Sequence, residues 1–336
     1  MRMIMAPMRG YTDAVFREVW SRHFTGLDEA VAPFISLHKA SEVSLKTLGE
    51  LGQKGTFSLP VTPQMLGNQP EAFLDLARLL ADQGYTELNW NLGCPFPMVA
   101  KKARGSGLLC HPDRVDAFLE RVCAASPVEV SVKIRLGRQR KEEMEAIVPI
   151  LNRYPLSRVM VHPRIGTQMY TGRPDLAGFE RFRAACHHPL VYNGDIWSQR
   201  DFTGLTRRFP GITSWMLGRG LLADPFLAER LRGGFRGERE ETLARFVAFY
   251  EELEAAYAAR LSGPSHLLAR MKGWWACFHQ SFTEGERFFR KIRKIENLEA
   301  FGKAVQAFWD AEPDWQFSPN EGWVEEAEGK GMNKEA

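Results

Sequence analysis

Eight short apolar runs recur across residues 1–235, each closing on Gly, Pro, Asn or a cluster of polar residues, with helical stretches between them. No other property of the chain narrows its fold as much. The runs predict strands over 3–6, 29–33, 61–66, 86–91, 129–135, 158–162, 189–193 and 214–218. The third is weakened by Pro60 and Pro63, which cannot donate to a ladder. Helical patterns fall at about 12–22, with Thr12 as N-cap, and at 70–83, 112–124, 141–152 and 198–208. Asp224-Pro225 reads as the cap and first-turn Pro of a further short helix. This alternation predicts a closed (β/α)8 TIM barrel, with a doubly wound open sheet as the alternative.

From about residue 237 the strand pattern stops. Helices are expected over 238–260, 265–280, 284–295 and 297–309, a small all-α bundle. The expected division is therefore a barrel over 1–236, a helical domain over 237–312 and a partly disordered tail over 313–336. Trp315, Phe317 and Trp323 imply that part of the tail docks.

Composition excludes several classes. A chain of 336 residues, 44% hydrophobic and 25% charged, can bury a large core. No apolar run approaches the roughly 18 residues of a membrane helix, and the start is too soon interrupted for a signal peptide, so a cytoplasmic protein is expected. Five widely spaced cysteines form no Cys-x-x-Cys pair, and neither a metal site nor a disulfide framework is expected. Charge is uneven. Residues 264–303 hold eight Lys/Arg against four Glu, whereas residues 321–336 hold five Glu against two Lys. The basic excess hints at a polyanion, although a solvated face is the commoner reason for such a run.

The polar residues that end the strands carry the chemistry. Asn91, Cys94, Lys133, Arg135, His162, Arg164, Asn193 and Arg219 all fall toward the C-terminal ends, where a barrel builds its site. Asn193-Gly194-Asp195 and Gly218-Arg219-Gly220 close strands seven and eight, the usual phosphate region; two tight turns requiring positive φ are the structural alternative. Lys133 inside a barrel mouth needs a counter-charge or must lose its proton. Cys94 follows Asn91 by three residues in a Gly-Cys-Pro turn, where a buried structural cysteine would be the bland reading.

Seven elements occur in order: Ala6-Pro7-Met8, Gln64-Met-Leu-Gly67, Asn91-Leu-Gly-Cys-Pro95, Val132-Lys-Ile-Arg135, Val161-His-Pro-Arg164 with Gln168 and Tyr170-Thr-Gly172, Asn193-Gly-Asp195, and Gly218-Arg-Gly220. The set resembles the tRNA-dihydrouridine synthases, flavin enzymes that reduce uridine in RNA. The resemblance covers the whole barrel, and the helical appendage is similar in length and placement.

It implies FMN over the barrel mouth, with Pro7, Met8 and Gln64 along the isoalloxazine. It implies Lys133 and His162 at the polar edge and ribityl chain, and Asn193, Gly194, Asp195, Gly218 and Arg219 around the phosphate. Asn91 and Arg135 or Arg164 would lie near the uracil, and Cys94 would be the general acid. NADPH would reduce the flavin, whose N5 gives hydride to uracil C6 while Cys94 protonates C5. Lys101, Lys102, Arg270 and Lys272, with Arg287, Arg290, Lys291, Arg293 and Lys294, would hold the tRNA, and a monomer is expected. Trp274, Trp275, Phe288 and Phe289 are expected to be at least half bundle core. One departure stands out: family members commonly carry Lys three residues after the cysteine, and this chain has Pro97. Gly105 and Gly107 are expected to keep the following loop flexible. The rivals are the same chemistry on ribosomal RNA, a small-molecule FMN barrel of the dihydroorotate dehydrogenase or ene-reductase kind, and an RNA-binding protein with a relict flavin site.

Overall fold

The computed structural model describes residues 1–37, 48, 49, 51, 59–235 and 237–316. Eight parallel strands form β1 (Arg2–Met5), β2 (Glu29–Val31 and Ile35–Ser36), β3 (Val61–Thr62 and Gln64–Leu66), β4 (Glu87–Leu92), β5 (Glu129–Gly137), β6 (Leu156–Ile165), β7 (Leu190–Tyr192) and β8 (Ser214–Leu217). Pro33 and Pro63 each divide a strand in two, since neither donates to the ladder. Ala30 pairs with Val61 below the breaks, and Ile35 pairs with Met65 above them. Both halves of β2 thus meet both halves of β3. With β1 between β8 and β2, the sheet has no free edge. It is the closed barrel that the rhythm predicts.

Period two decides what the barrel encloses. Ile4, Ala6, Val31, Met160, Val191 and Met216 pack together as a separate apolar cluster inside it. The alternate residues of β4 point inward with them. Asn89 donates from Nδ2 to Ser131 Oγ at 2.8 Å and accepts from Gln64 Nε2 at 2.8 Å. Below this, Arg158 bonds Glu29 at 2.5 Å and Glu87 at 3.0 Å, so the floor is a paired charge network. Trp90, on the opposite face of β4, stacks on Phe118 at 3.8 Å between ring centroids, under the Pro112–Ala125 helix.

Several local expectations need correction. The first helix, Ala14–His23, is capped by Asp13, whose Oδ1 accepts from Phe16 N. Thr12 instead turns its hydroxyl back to Ala6 O and accepts from Met8 N. A helix at Leu176–Ala185, capped by Asp175, was not expected between strands six and seven. β5 and β6 run to Gly137 and Ile165, so Lys133, Arg135 and His162 lie within strands rather than at their ends. Asp224 caps a turn through Phe226 N, and the short helix starts later, at Leu227–Leu231.

After residue 237 the regular elements are helical: Arg239–Ala258, Pro264–Phe278, Gly285–Ile292 and Leu298–Asp310, with a short 3-10 turn at His279–Ser281. Trp274 and Trp275 are fully buried, as expected for core, and Phe288 and Phe289 are half-buried. Trp274 stacks on Phe16 of the barrel at 4.6 Å and meets Tyr11 edge-on at 5.4 Å. Phe24 meets Phe249 at 4.9 Å, and Arg245 bonds Glu229. The bundle is thereby anchored beside the β1 end of the mouth. Trp315 docks against Phe282, Phe246 and Phe226. Phe317, Trp323 and the acidic end of the tail lie outside the described residues.

Candidate active site

A cavity of about 420 Å³ opens at the C-terminal ends of the strands. Of the residues singled out by sequence, Pro7, Met8, Asn91, Cys94, Lys133, Arg135, His162, Asn193, Gly194, Asp195, Gly218 and Arg219 line it. Residues from six different strands and their loops therefore converge on one space.

Cys94 is fixed on its wall from all sides. Asn91 Oδ1 accepts from the backbone N–H of both Gly93 (3.0 Å) and Cys94 (2.8 Å). Asn91 Nδ2 donates to Gln64 Oε1 at 2.7 Å. Ser106 donates through its backbone N–H and its hydroxyl to Cys94 O, each at 3.0 Å. Arg135 holds Gly93 O at 3.0 Å, and Arg138 holds Pro95 O at 2.8 Å. Gly105, at φ +53°, lies so close that a Cβ there would come within 2.8 Å of Cys94 Cβ. A Cβ on Gly107 would strike Ala100 O at 2.2 Å. These glycines permit close packing, which corrects the expectation of a flexible loop. Burial raises the Cys94 thiol pKa, against the Phe96 N–H and the nearby Arg135, Arg9 and Arg138. The sulfur is therefore a protonated thiol at neutral pH, able to donate a proton.

The opposite chemistry holds at Lys133. No described residue gives its ammonium a hydrogen bond or an ion pair, and burial with Arg135 nearby pushes its pKa down to about 7. His162 is nine-tenths buried and stays neutral: burial, then Arg135, Lys133, Arg164 and Arg219, hold its pKa well below the usual value. Arg164 lies 2.9 Å from His162 Nε2. A guanidinium only donates, so Nε2 accepts and the ring proton sits on Nδ1.

Asp195, at φ +34°, binds Arg164 at 2.5 Å and Arg219 at 2.6 Å. Gly194, Gly218 and Gly220 have ordinary φ values, so positive φ is not why they are glycines. A Cβ on Gly194 would press Tyr192 Oη at 3.0 Å, and one on Gly220 would strike Ile196 O at 2.1 Å. Arg219 lies over the Tyr170 and Trp197 rings.

Other sequence candidates stand elsewhere. Gln64 is fully buried beneath the cavity wall, its amide committed to Asn89 and Asn91. Arg164 is equally buried, spent on Asp195, His162 and the carbonyls of Thr171 and Gly172. Both shape neighbours and do not line the cavity. Lys101 and Lys102 are exposed on the loop beyond Cys94. Arg270 reaches the mouth loop, donating to Gly10 O at 2.5 Å, and Lys272 is half-buried. Arg287, Arg290, Lys291, Arg293 and Lys294 are exposed. Sequence reasoning missed Arg9, Tyr11, Phe34, Ile196 and Trp197. Each follows closely on an inner strand segment, and that position was the available signal. Among the described residues no cluster of His, Cys, Asp or Glu could hold a metal. No helix among them is long and apolar enough to cross a membrane.

The family model for dihydrouridine synthase matches residues 4–311. The chain belongs to the dihydrouridine synthase family. It is an enzyme, an oxidoreductase by that membership. Family relatives are similar over four fifths or more of their length. A tRNA-dihydrouridine(16) synthase of Aquipseudomonas alcaligenes is 27% identical over 89% of this chain and 97% of its own. One of Neisseria meningitidis serogroup B is 26% identical over 91% and 94%. A probable tRNA-dihydrouridine synthase of Rhodobacter capsulatus is 29% identical over 77% and 80%. Among solved structures, morphinone reductase in complex with tetrahydroNAD shares the fold at a TM-score of 0.50, with 11% identity over 71% of this chain and 88% of that one. Histamine dehydrogenase from Rhizobium sp. 4-9 aligns at 0.53, with 11% identity over 69% and 46%.

Proposed function

We propose that this enzyme reduces uridine in tRNA to 5,6-dihydrouridine, with FMN in the barrel mouth and NADPH as reductant. The observation that carries the reading is the pairing, around one cavity, of a fixed protonated thiol at Cys94 with an uncompensated Lys133. A thiol held neutral suits an acid and not a nucleophile. A lysine left without a counter-charge suits an anionic ring or phosphate.

The residues present fit such a cofactor. Pro7 and Met8 offer an apolar wall. Gly194, Gly218 and Gly220 bring backbone to the cavity wall where a phosphate would sit. Arg219 supplies the cation there, and Asp195 aims it while also anchoring Arg164. Asp195 is thus a positioning residue more than a phosphate contact. His162 offers its Nδ1–H as a neutral donor. Bound there, the flavin supplies the hydride that reaches uracil C6.

The remaining work belongs to the chain. Cys94 gives its proton to C5, and the Asn91–Gln64 amide pair keeps the thiol loop in place. Asn91 has one further N–H for a uracil carbonyl. The target base must leave its stack to enter the cavity. The exposed basic residues of the Gly285–Ile292 helix and its C-terminal end hold the backbone. Purified protein should release FMN and, with NADPH, add two hydrogens to a uridine of an unmodified tRNA transcript. Position 16, which the relatives' names carry, is the first to examine. A flavin-loaded protein that leaves every tRNA uridine unchanged would refute the proposal.

A further inference from the structure

Four large apolar side chains are exposed among the described residues; two of them line the mouth, and a third, Met98, follows two residues after one of these. Phe96 is 49% exposed, Met98 81% and Tyr170 42%; the fourth is the terminal Met1. Phe96 and Tyr170 line the cavity itself. Apolar side chains exposed at the mouth of a cavity mark a contact surface.

The Phe96–Met98 corner follows directly on Pro95, whose carbonyl Arg138 holds at 2.8 Å. Pro97 takes the first position of the Pro97–Ala100 helix, where a missing N–H costs nothing. Phe96 O accepts from Val99 N and Ala100 N, each at 2.9 Å. Gly107 packs directly beneath Ala100. The corner is therefore presented by a built turn.

Cations surround it. Lys101 and Lys102 are exposed and have no hydrogen-bonded or ion-paired side-chain partner among the described residues. Arg9 lines the cavity from the β1 side and is also exposed, with its guanidinium 5.6 Å from the Phe34 ring centroid. Its charge reaches Cys94. Flat apolar faces ringed by uncommitted positive charge match an unstacked nucleic-acid strand, whose bases stack on side chains while its phosphates pair with cations.

We propose that Phe96, with Met98 beside it, stacks on a nucleotide adjacent to the uridine drawn into the cavity, and that Arg9 takes the neighbouring phosphate. The corner is then a specificity-determining wedge that keeps the RNA strand open next to the target. It rests on the tRNA reading above, and it assigns to the Pro97 turn a substrate contact made by stacking.

The test uses the full flavin-loaded chain and an unmodified tRNA transcript. Phe96→Ala should weaken tRNA binding about tenfold and raise the tRNA KM by a similar factor, the order expected for losing one base–aromatic stack. Its flavin content should equal wild type. Phe96→Tyr should restore both values, which a merely structural role would not require. Arg9→Ala should lower the slope of log K against log salt by about 0.7, one phosphate of a single strand. Binding unchanged in Phe96→Ala overturns the proposal, and so leaves the exposed corner to some other partner. Should Phe96→Ala lose its flavin, Met98→Ser decides: weakened tRNA binding supports the wedge and unchanged binding overturns it. A wild-type protein that binds tRNA without reducing it would end the functional reading while the binding comparison still judges the wedge. One that does not bind tRNA overturns both.

Discussion

Arg164 and His162 stand two residues apart on β6 with a guanidinium nitrogen 2.9 Å from Nε2. The contact fixes the imidazole as the Nδ1–H tautomer and, with burial, keeps it neutral. Ring 15N shifts of His162 should show a protonated Nδ1 and a bare Nε2 through the pH range in which an ordinary imidazole takes up its second proton. The stability consequence has a definite sign. The native ring refuses a proton that the unfolded chain accepts below its ordinary pKa of 6.5, so this residue costs stability as pH falls through that value. His162→Gln should flatten that part of the stability profile. A native ring that titrates near 6.5 contradicts the assignment.

Lys133 makes the opposite use of burial. With its native pKa near 7 and an ordinary value of 10.5, the unfolded chain holds a proton that the native side chain lacks between those limits. Stability of the flavin-free protein should therefore rise with pH across that window. Lys133→Met removes the penalty, so at pH 7 the flavin-free variant should melt several degrees above flavin-free wild type. The same variant should lose most of its flavin. Higher flavin occupancy in Lys133→Met would remove Lys133 from the cofactor role.

Gly105 supports the cysteine by absence. A Cβ would sit 2.7 Å from Cys94 O, at a backbone φ of +53° that disfavours side chains. Gly105→Ala should destabilise the fold by about 1–3 kcal/mol, measured by denaturant unfolding. It should reduce turnover at least tenfold with flavin retained, since the displacement falls on the proposed acid (on the order of a misplaced catalytic group). Wild-type turnover in this variant would mean that Cys94 placement is not critical.

Arg287 and Lys291 project from the Gly285–Ile292 helix and are exposed. The Arg287→Ala, Lys291→Ala double variant should weaken tRNA binding and flatten its salt dependence by about one to two units of slope. Dihydrouridine formation at saturating tRNA should hold. An unchanged salt slope would place the RNA on another face.

The barrel was legible because its strands are either uniformly apolar or alternate with period two. Glu87, Asn89 and Asn91 against Leu88 and Trp90 is readable without a structure. Pro63 marked the weak third strand in advance, whereas the strand expected over 29–33 breaks at Pro33 and resumes at Ile35–Ser36. The Leu176–Ala185 helix escaped notice because Leu176, Phe179 and Phe182 make a thin stripe, although Asp175 marked its start. At the site, residue types gave the cavity wall, but not which polar groups were already committed. Gln64 and Arg164 look like ligand contacts in sequence; only the structure shows their hydrogen bonds spent on Asn91 and Asp195. Arg9 and Phe96 carry no motif, and exposure alone reveals them.

The central claim is that Cys94 delivers a proton to a tRNA uridine. It is tested most directly in cells lacking the gene, complemented with wild type or Cys94→Ala, by mass analysis of nucleosides from purified tRNA. At least one uridine should lose two hydrogens of mass in the deletion and regain them with wild type. Cys94→Ala, purified with its flavin intact, should restore less than about one hundredth of the wild-type rate, the scale of a lost general acid. If the deletion changes no tRNA uridine, or Cys94→Ala restores dihydrouridine at the wild-type rate, the account is wrong.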